Sequence, residues 1–132
     1  MTGVQTCALP IFRNYNVGIG QSKFTPPPHP VVNLLASGFF KWYNMSKQRL
    51  NPVELAALVH LKFVTIHPFG DGNGRITRLM MNHVLNKFDY PLLNIDYGDR
   101  RSYYNALEKS QTKDDDLPFL QWFMKRYIKT HL

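Results

Sequence analysis

The chain has 132 residues, 44% of them hydrophobic and 14% aromatic, which is material for one core that hides about two-thirds of the unfolded surface, so one domain is expected. A formal charge of +7 and a pI near 9.7 suit an anionic ligand, whether nucleotide, nucleic acid or acidic protein, without choosing among them. The single cysteine, Cys7, excludes a disulfide within the monomer, and no stretch approaches the ~20 apolar residues of a membrane span, so a soluble protein of the reducing cytoplasm is expected.

Residues 1–11 carry no charge and no periodicity. They match, in order, the translation of a common sequencing-library adapter opened by a GTG start codon. They are therefore read as a non-native scar and set aside from fold reasoning. Residues 12–132 are then the domain, shortened at its N-terminus. From Phe12 to Pro28, Val17 and Ile19 alternate with small or polar residues, a strand signal that the prolines terminate. Pro26 to Pro30 reads as a stiff connector. Val31 to Tyr43 places Val32, Leu35, Phe39 and Trp42 at helical spacing, although Gly38 costs ~1 kcal/mol relative to alanine. Asn51 before Pro52, with Glu54 three positions on, starts a helix through Leu55, Leu58, Val59 and Phe63 that should end near Ile66. From about Asn73, Ile76, Leu79, Met80, Val84 and Leu85 mark the next. Tyr90-Pro91 is a break, Asp99 to Lys109 forms another helix, and Asp116 opens the last. The final stripe, Phe119, Leu120, Phe123, Met124, Tyr127 and Ile128, is wide enough to bury against two neighbours. Short connections favour antiparallel packing in an all-α core.

Chemistry concentrates between the second and third of these helices, where His67 to Arg78 reads His-Pro-Phe-Gly-Asp-Gly-Asn-Gly-Arg-Ile-Thr-Arg. Gly70, Gly72 and Gly74 let backbone N–H groups approach an anion closely, and the helix that follows presents unpaired donors and a positive dipole end. The dipole alone contributes on the order of 0.3–2 kcal/mol. Arg75 and Arg78, three apart, share a helix face and can fork onto phosphate oxygens. The Asp71 carboxylate would repel such a ligand unless a divalent cation lies between them, and Mg²⁺ is the natural one. His67 is the only side chain in the turn that exchanges a proton near neutral pH, which makes it the general-base candidate.

This string resembles, at every specified position, the signature of Fic-type (Fido) enzymes, His-x-Phe-x-Asp/Glu-Gly-Asn-Gly-Arg-x-x-Arg. The resemblance implies a compact all-α core with a short N-terminal β-hairpin flap. It also implies transfer of AMP from ATP to a Ser, Thr or Tyr hydroxyl of a target protein, with pyrophosphate leaving. His67 would deprotonate the hydroxyl and Asp71 would hold Mg²⁺. Gly72, Asn73 and Gly74, beside Gly70, would cradle the α- and β-phosphates, Arg75 would take the β-phosphate and Arg78 the γ-phosphate. Phe69 would anchor the turn in the core. Arg101, Tyr103 and Tyr104 followed by Ala106-Leu107-Glu108 resemble the family's later helix, with Tyr103, Tyr104 and Gln111 lining the base pocket. Phe12 to Pro28 resembles the flap, in which Val17, Gly18, Ile19 and Gly20 would bind the target segment by strand addition. The resemblance spans roughly Phe12 to Lys129.

Plainer readings weigh against several residues. His60, seven before His67, is better read as an ordinary histidine than as half of a metal pair, because no third ligand follows. Asp114 to Asp116 is a solvated, dipole-stabilising run rather than a metal cluster. Tyr103 and Tyr104 are adjacent, so one at most can stack on a base while the other belongs to the core. Neither Glu54 nor Glu108 fits the Ser/Thr-x-x-x-Glu-Gly/Asn pattern of the family's inhibitory helix. The chain as given is therefore expected to lack autoinhibition, the inhibitory helix being held by a missing upstream segment or supplied by a small antitoxin-like protein; the other partners expected are the target protein and, as an alternative, a second copy in a homodimer. Membrane and nucleic acid are not expected as partners. Use of another nucleotide or phosphate donor, and an inactive truncated binding module, stand as alternatives.

Overall fold

The computed structural model describes residues 12–132, so the readings made for residues 1–11 and Cys7 lie outside the described residues. Five α-helices follow one another: α1 Val32–Ser46, α2 Pro52–Ile66, α3 Asn73–Lys87, α4 Arg100–Lys113 and α5 Leu117–His131. Short 3-10 turns at His29–Val31 and Tyr97–Asp99 lead into α1 and α4.

Helix α2 is the axis of the molecule. Asn51 caps it, its side-chain oxygen accepting from the Val53 N–H at 2.9 Å, and Pro52 fills the first turn where no N–H is needed. Apolar residues surround it on every side, and α1, α3 and α5 all pack on it, as a helix without a polar face requires. Leu55, Ala56 and Ala57 are fully buried, and so is His60. On α5, Phe119 and Phe123 fill the core, while Ile128, expected in the same stripe, is half exposed. In α1 the inward positions are Val32, Ala36 and Phe39, and Leu35 turns outward. Between α1 and α3 lies an apolar groove of about 530 Å³ with Val59 of α2 among its lining and Phe40 and Leu79 exposed on its walls. Among the described residues no helix is long and apolar enough to cross a membrane.

The expected β-hairpin does not form. Residues 12–28 contain no strand and run in an irregular, largely extended course, with a turn where the Ser22 N–H meets the Ile19 carbonyl at 3.1 Å. The polar groups of this segment bond elsewhere instead of across a ladder. The Arg13 N–H donates to the Pro68 carbonyl at 2.8 Å, the His29 N–H to Asn16 Oδ1 at 2.9 Å, and the Lys23 N–H to Glu108 Oε1 at 2.7 Å. Pro26, Pro27 and Pro28 have no N–H to give, and an isolated two-stranded hairpin is marginal in water.

Arg13 organises the segment. Its buried guanidinium donates to the carbonyls of His67 (2.6 Å), Tyr15 (3.1 Å), Pro27 (2.6 Å) and Ile66 (3.3 Å), tying residues 13–27 to the end of α2.

Candidate active site

Helix α2 ends at His67, whose backbone is left-handed (φ 52°, ψ 57°) with its N–H on the Phe63 carbonyl at 3.3 Å. That single residue turns the chain into the loop 68–72. The loop is closed by Asn73, whose amide makes two bonds to one residue: Oδ1 accepts from the Phe69 N–H at 2.9 Å, and Nδ2 donates to the Phe69 carbonyl at 2.8 Å. Asn73 is buried and its side chain is consumed inside the loop, so of the phosphate cradle expected of it only its backbone N–H is left for a ligand. Phe69 packs edge-on against Phe12, with ring centroids 5.6 Å apart, and against Phe63 at 6.2 Å.

Gly72 caps α3 with φ +79° and no side chain, so the N–H groups of Asn73, Gly74 and Arg75 have no partner in their own helix. Two of the motif's glycines also make room for its arginines. A Cβ on Gly72 would lie 3.1 Å from Arg75 Nη2, and one on Gly74 would lie 3.0 Å from Arg78 Nη1. Both guanidinium groups therefore lie back over the glycine backbone, beside the free N–H groups. A Cβ on Gly70 would run into the Tyr15 hydroxyl, from the N-terminal segment.

Asp71 stands at the outer lip. One oxygen accepts from the Gly72 N–H at 2.8 Å, and the other is 4.0 Å from Arg75 Nη2 and otherwise faces solvent. Among the described residues no group of three or more His, Cys, Asp or Glu side chains gathers to hold a metal. One free carboxylate oxygen beside the unpaired N–H groups of a helix start nonetheless fits Mg²⁺, which commonly takes one or two protein carboxylates and completes its shell with phosphate and water.

These groups open onto a cleft of about 640 Å³. His67, Gly74 and Arg78 line one wall and Tyr103, Tyr104, Leu107, Glu108 and Gln111 of α4 the other, while Ile19, Gln21 and Ser22 cover part of the mouth. Of the flap residues, Ile19 reaches the cleft; Val17, Gly18 and Gly20 are not in its lining, and Gly18 and Gly20 have open space around them. Gln111 is held by Thr65, its Nε2 donating to Oγ1 at 3.2 Å. Tyr103 is the core member of the tyrosine pair, 2% exposed, and Tyr104 is 54% exposed with its ring at the cleft. His67 is half buried, its Nδ1 turned away from solvent, which leaves Nε2 to meet a group in the cleft. Burial, and secondarily the Arg13 charge, hold its pKa below the ordinary histidine value, the Val64 backbone offsetting part of this. The ring is thus an unprotonated base at neutral pH.

Two participants had no signal in the sequence: Arg13 is a lone cation with no motif around it, and Tyr15 reaches Gly70 only through the course of the N-terminal segment.

A family model described as the Fic/DOC family matches residues 3–85, more than half of the chain. The chain belongs to the Fic/DOC family. This Fic/DOC chain is 40% identical over 120 residues to the "Protein adenylyltransferase Fic" of Drosophila melanogaster, covering 90% of its own length and 24% of the relative's. The protein of the same name in Aedes aegypti is 38% identical over 112 residues, covering 84% and 22%. The chain thus spans about a quarter of the length of these relatives. A Fic domain containing signaling protein of Bacteroides thetaiotaomicron superposes with a TM-score of 0.82 at 30% identity, over 91% of this chain and 52% of that one. Fic-1 of C. elegans gives 0.76 at 28% identity, over 91% and 34%.

Proposed function

We propose that this chain is a protein adenylyltransferase that moves AMP from ATP to a Ser, Thr or Tyr hydroxyl of a target protein and releases pyrophosphate. The observation that carries the reading is the joining, in one cleft, of a half-buried neutral imidazole with a glycine-capped helix start and two arginines laid over it. The naming of the Drosophila and Aedes relatives supports it.

The polyphosphate sits on the N–H groups of Asn73, Gly74 and Arg75, with Arg75 on the β-phosphate and Arg78 on the γ-phosphate. His67 Nε2 takes the proton of the target hydroxyl, whose oxygen attacks the α-phosphorus. The bond to the bridging oxygen breaks in line and pyrophosphate departs, so the site supplies positioning and charge neutralisation more than covalent chemistry. Mg²⁺ held by Asp71 would neutralise charge on the phosphates. Tyr104 offers the base a free face, and Gln111 a polar edge. Ile19 and its neighbours guide the target segment across the mouth. The work is assigned to the cytoplasm, with regulation by an inhibitory helix or small antitoxin-like protein.

A second reading, another nucleotide or phosphate donor on the same cradle, draws on the same geometry, since Tyr104 selects for a flat ring rather than for adenine. Mass spectrometry of lysate incubated with the chain, Mg²⁺ and isotopically labelled ATP tests both. AMP gained by a protein with the native chain and not with His67→Ala supports the transferase; phosphate gained from ATP alone favours ATP as a phosphate donor on the same cradle, and a folded chain that binds no ATP refutes the site.

A further inference from the structure

Two side-chain hydrogen bonds join α2 to α4. One, between His60 Nε2 and the Tyr103 hydroxyl at 2.6 Å, is buried in the core. The other lies at the cleft, where Gln111 Nε2 donates to Thr65 Oγ1 at 3.2 Å, across 46 positions of sequence. Thr65 stands in the last turn of α2, two residues before His67, and Gln111 in the last turn of α4. Both are half-buried, but only Gln111 lines the cleft. The Gln111 amide therefore has one end held behind the wall and the other turned to the ligand side.

Which end is which matters, because the NH₂ of an amide only donates and its oxygen only accepts. With the amino group spent on Thr65, Oε1 is left facing the cleft with no hydrogen bond among the described residues. A threonine hydroxyl can also donate, so this bond alone would tolerate the amide turned over. The charges of the cleft decide between the two. Arg78, Arg100 and Arg101 line it against a single carboxylate, Glu108, one of whose oxygens already accepts the Lys23 N–H at 2.7 Å. A positive cleft favours the amide oxygen pointing in and the amino group pointing away.

We infer that Thr65 is a positioning residue for base selection: by holding the Gln111 amino group it presents an acceptor oxygen to the cleft, so the site prefers a purine with a six-amino group over one with a carbonyl there. The inference rests on the nucleotide reading of the cleft and deepens it. Tyr104, two turns earlier on the same face of α4, accepts any flat ring. Gln111 reads its edge, and reads it in one sense only because Thr65 stops the amide from turning. A site built to pair one polar group rejects an analogue that leaves that partner unpaired far more strongly than a flat apolar wall can.

Calorimetry of Mg·ATP and Mg·ITP binding to the full chain tests it, since inosine carries a carbonyl where adenosine carries the six-amino group. The native chain is expected to bind ATP about tenfold tighter than ITP, whose carbonyl would face Oε1 acceptor to acceptor. Thr65→Val frees the amide to turn, and the preference should fall to about twofold, with ATP affinity itself changing less than about threefold. Thr65→Ser keeps the hydroxyl and should keep the preference. In the Thr65→Val background, Gln111→Glu should restore it, because a carboxylate presents an acceptor whichever way it turns. A Thr65 that only packed would lower both affinities together and leave their ratio alone. Equal affinities in the native chain, tighter binding of ITP, or a preference that survives in Thr65→Val would each overturn this inference and leave the nucleotide reading standing. If the folded chain binds neither nucleotide, the nucleotide reading fails and takes the inference with it.

Discussion

Replacing His60 by a residue that does not titrate should change how the stability of the fold depends on acid. The His60 pKa is 6.5 in the unfolded chain and about 3 in the fold. Between these values the unfolded state binds one proton that the folded state refuses, so stability falls as pH falls, by about 1.4 kcal/mol per unit. The contribution is fully present above pH 6.5 and is lost progressively down to the folded value. From pH 7 to pH 5 the loss is about 2 kcal/mol, a large fraction of the 5–15 kcal/mol of a typical domain. The assay is urea unfolding of the native chain and His60→Gln at pH 7, 6 and 5. The variant is less stable at pH 7, and the gap should narrow by about 2 kcal/mol at pH 5. His67 and the carboxylates titrate in both chains and cancel in the comparison. A gap that stays constant over this range would show that His60 is protonated in the fold or reached by water, and would refute the neutral, buried ring.

The left-handed backbone of Gly72 and the nearness of Arg75 Nη2 predict that Gly72→Ala loses about 1–2 kcal/mol and weakens ATP binding, read by thermal melting and calorimetry. Arg13→Met strands carbonyls of His67, Tyr15, Pro27 and Ile66, so a loss of about 3 kcal/mol and protease cleavage between residues 13 and 28 are expected; unchanged digestion would refute its tying role. His67→Ala should keep ATP binding and lose transfer ~10²–10⁴-fold. With its pKa held down by burial, the native transfer rate should stay level as pH falls through 6.5 and decline only at lower pH; a midpoint above 6.5 would contradict the desolvated base.

Local signals made α2 and the motif legible. Asn51-Pro52 fixes one end of α2 by a hydrogen bond within two residues, and the other end is fixed by a turn whose glycines are next to it in sequence. What escaped was non-local. Alternation at Val17 and Ile19 suggests a strand, yet a strand needs a partner, and Arg13 gives this segment the end of α2 instead. Adjacent Tyr103 and Tyr104 cannot be ranked from sequence; His60 and Phe119, 43 and 16 positions away from Tyr103, make it the inner one. Of the acidic run, Asp114 closes α4 in a left-handed turn and Asp115, not Asp116, accepts from the Leu117 N–H at 3.0 Å. In α1, Leu35 is the larger apolar residue but Ala36 is the one turned inward.

His67 occupies a conformation that a residue with a Cβ adopts at a cost of about 1–2 kcal/mol and that glycine adopts freely. Under the proposed function, the base is therefore the residue at which losing activity can lengthen the life of the protein. His67→Ala keeps the strain; His67→Gly removes it, and even after glycine's greater unfolded entropy it can end up to about 1 kcal/mol more stable. In a cell that difference changes abundance severalfold. Two equally inactive chains would then accumulate to different levels, and a phenotype scored with the glycine form would mix absence of the proposed catalysis with excess of a protein that still carries the rest of its binding surface.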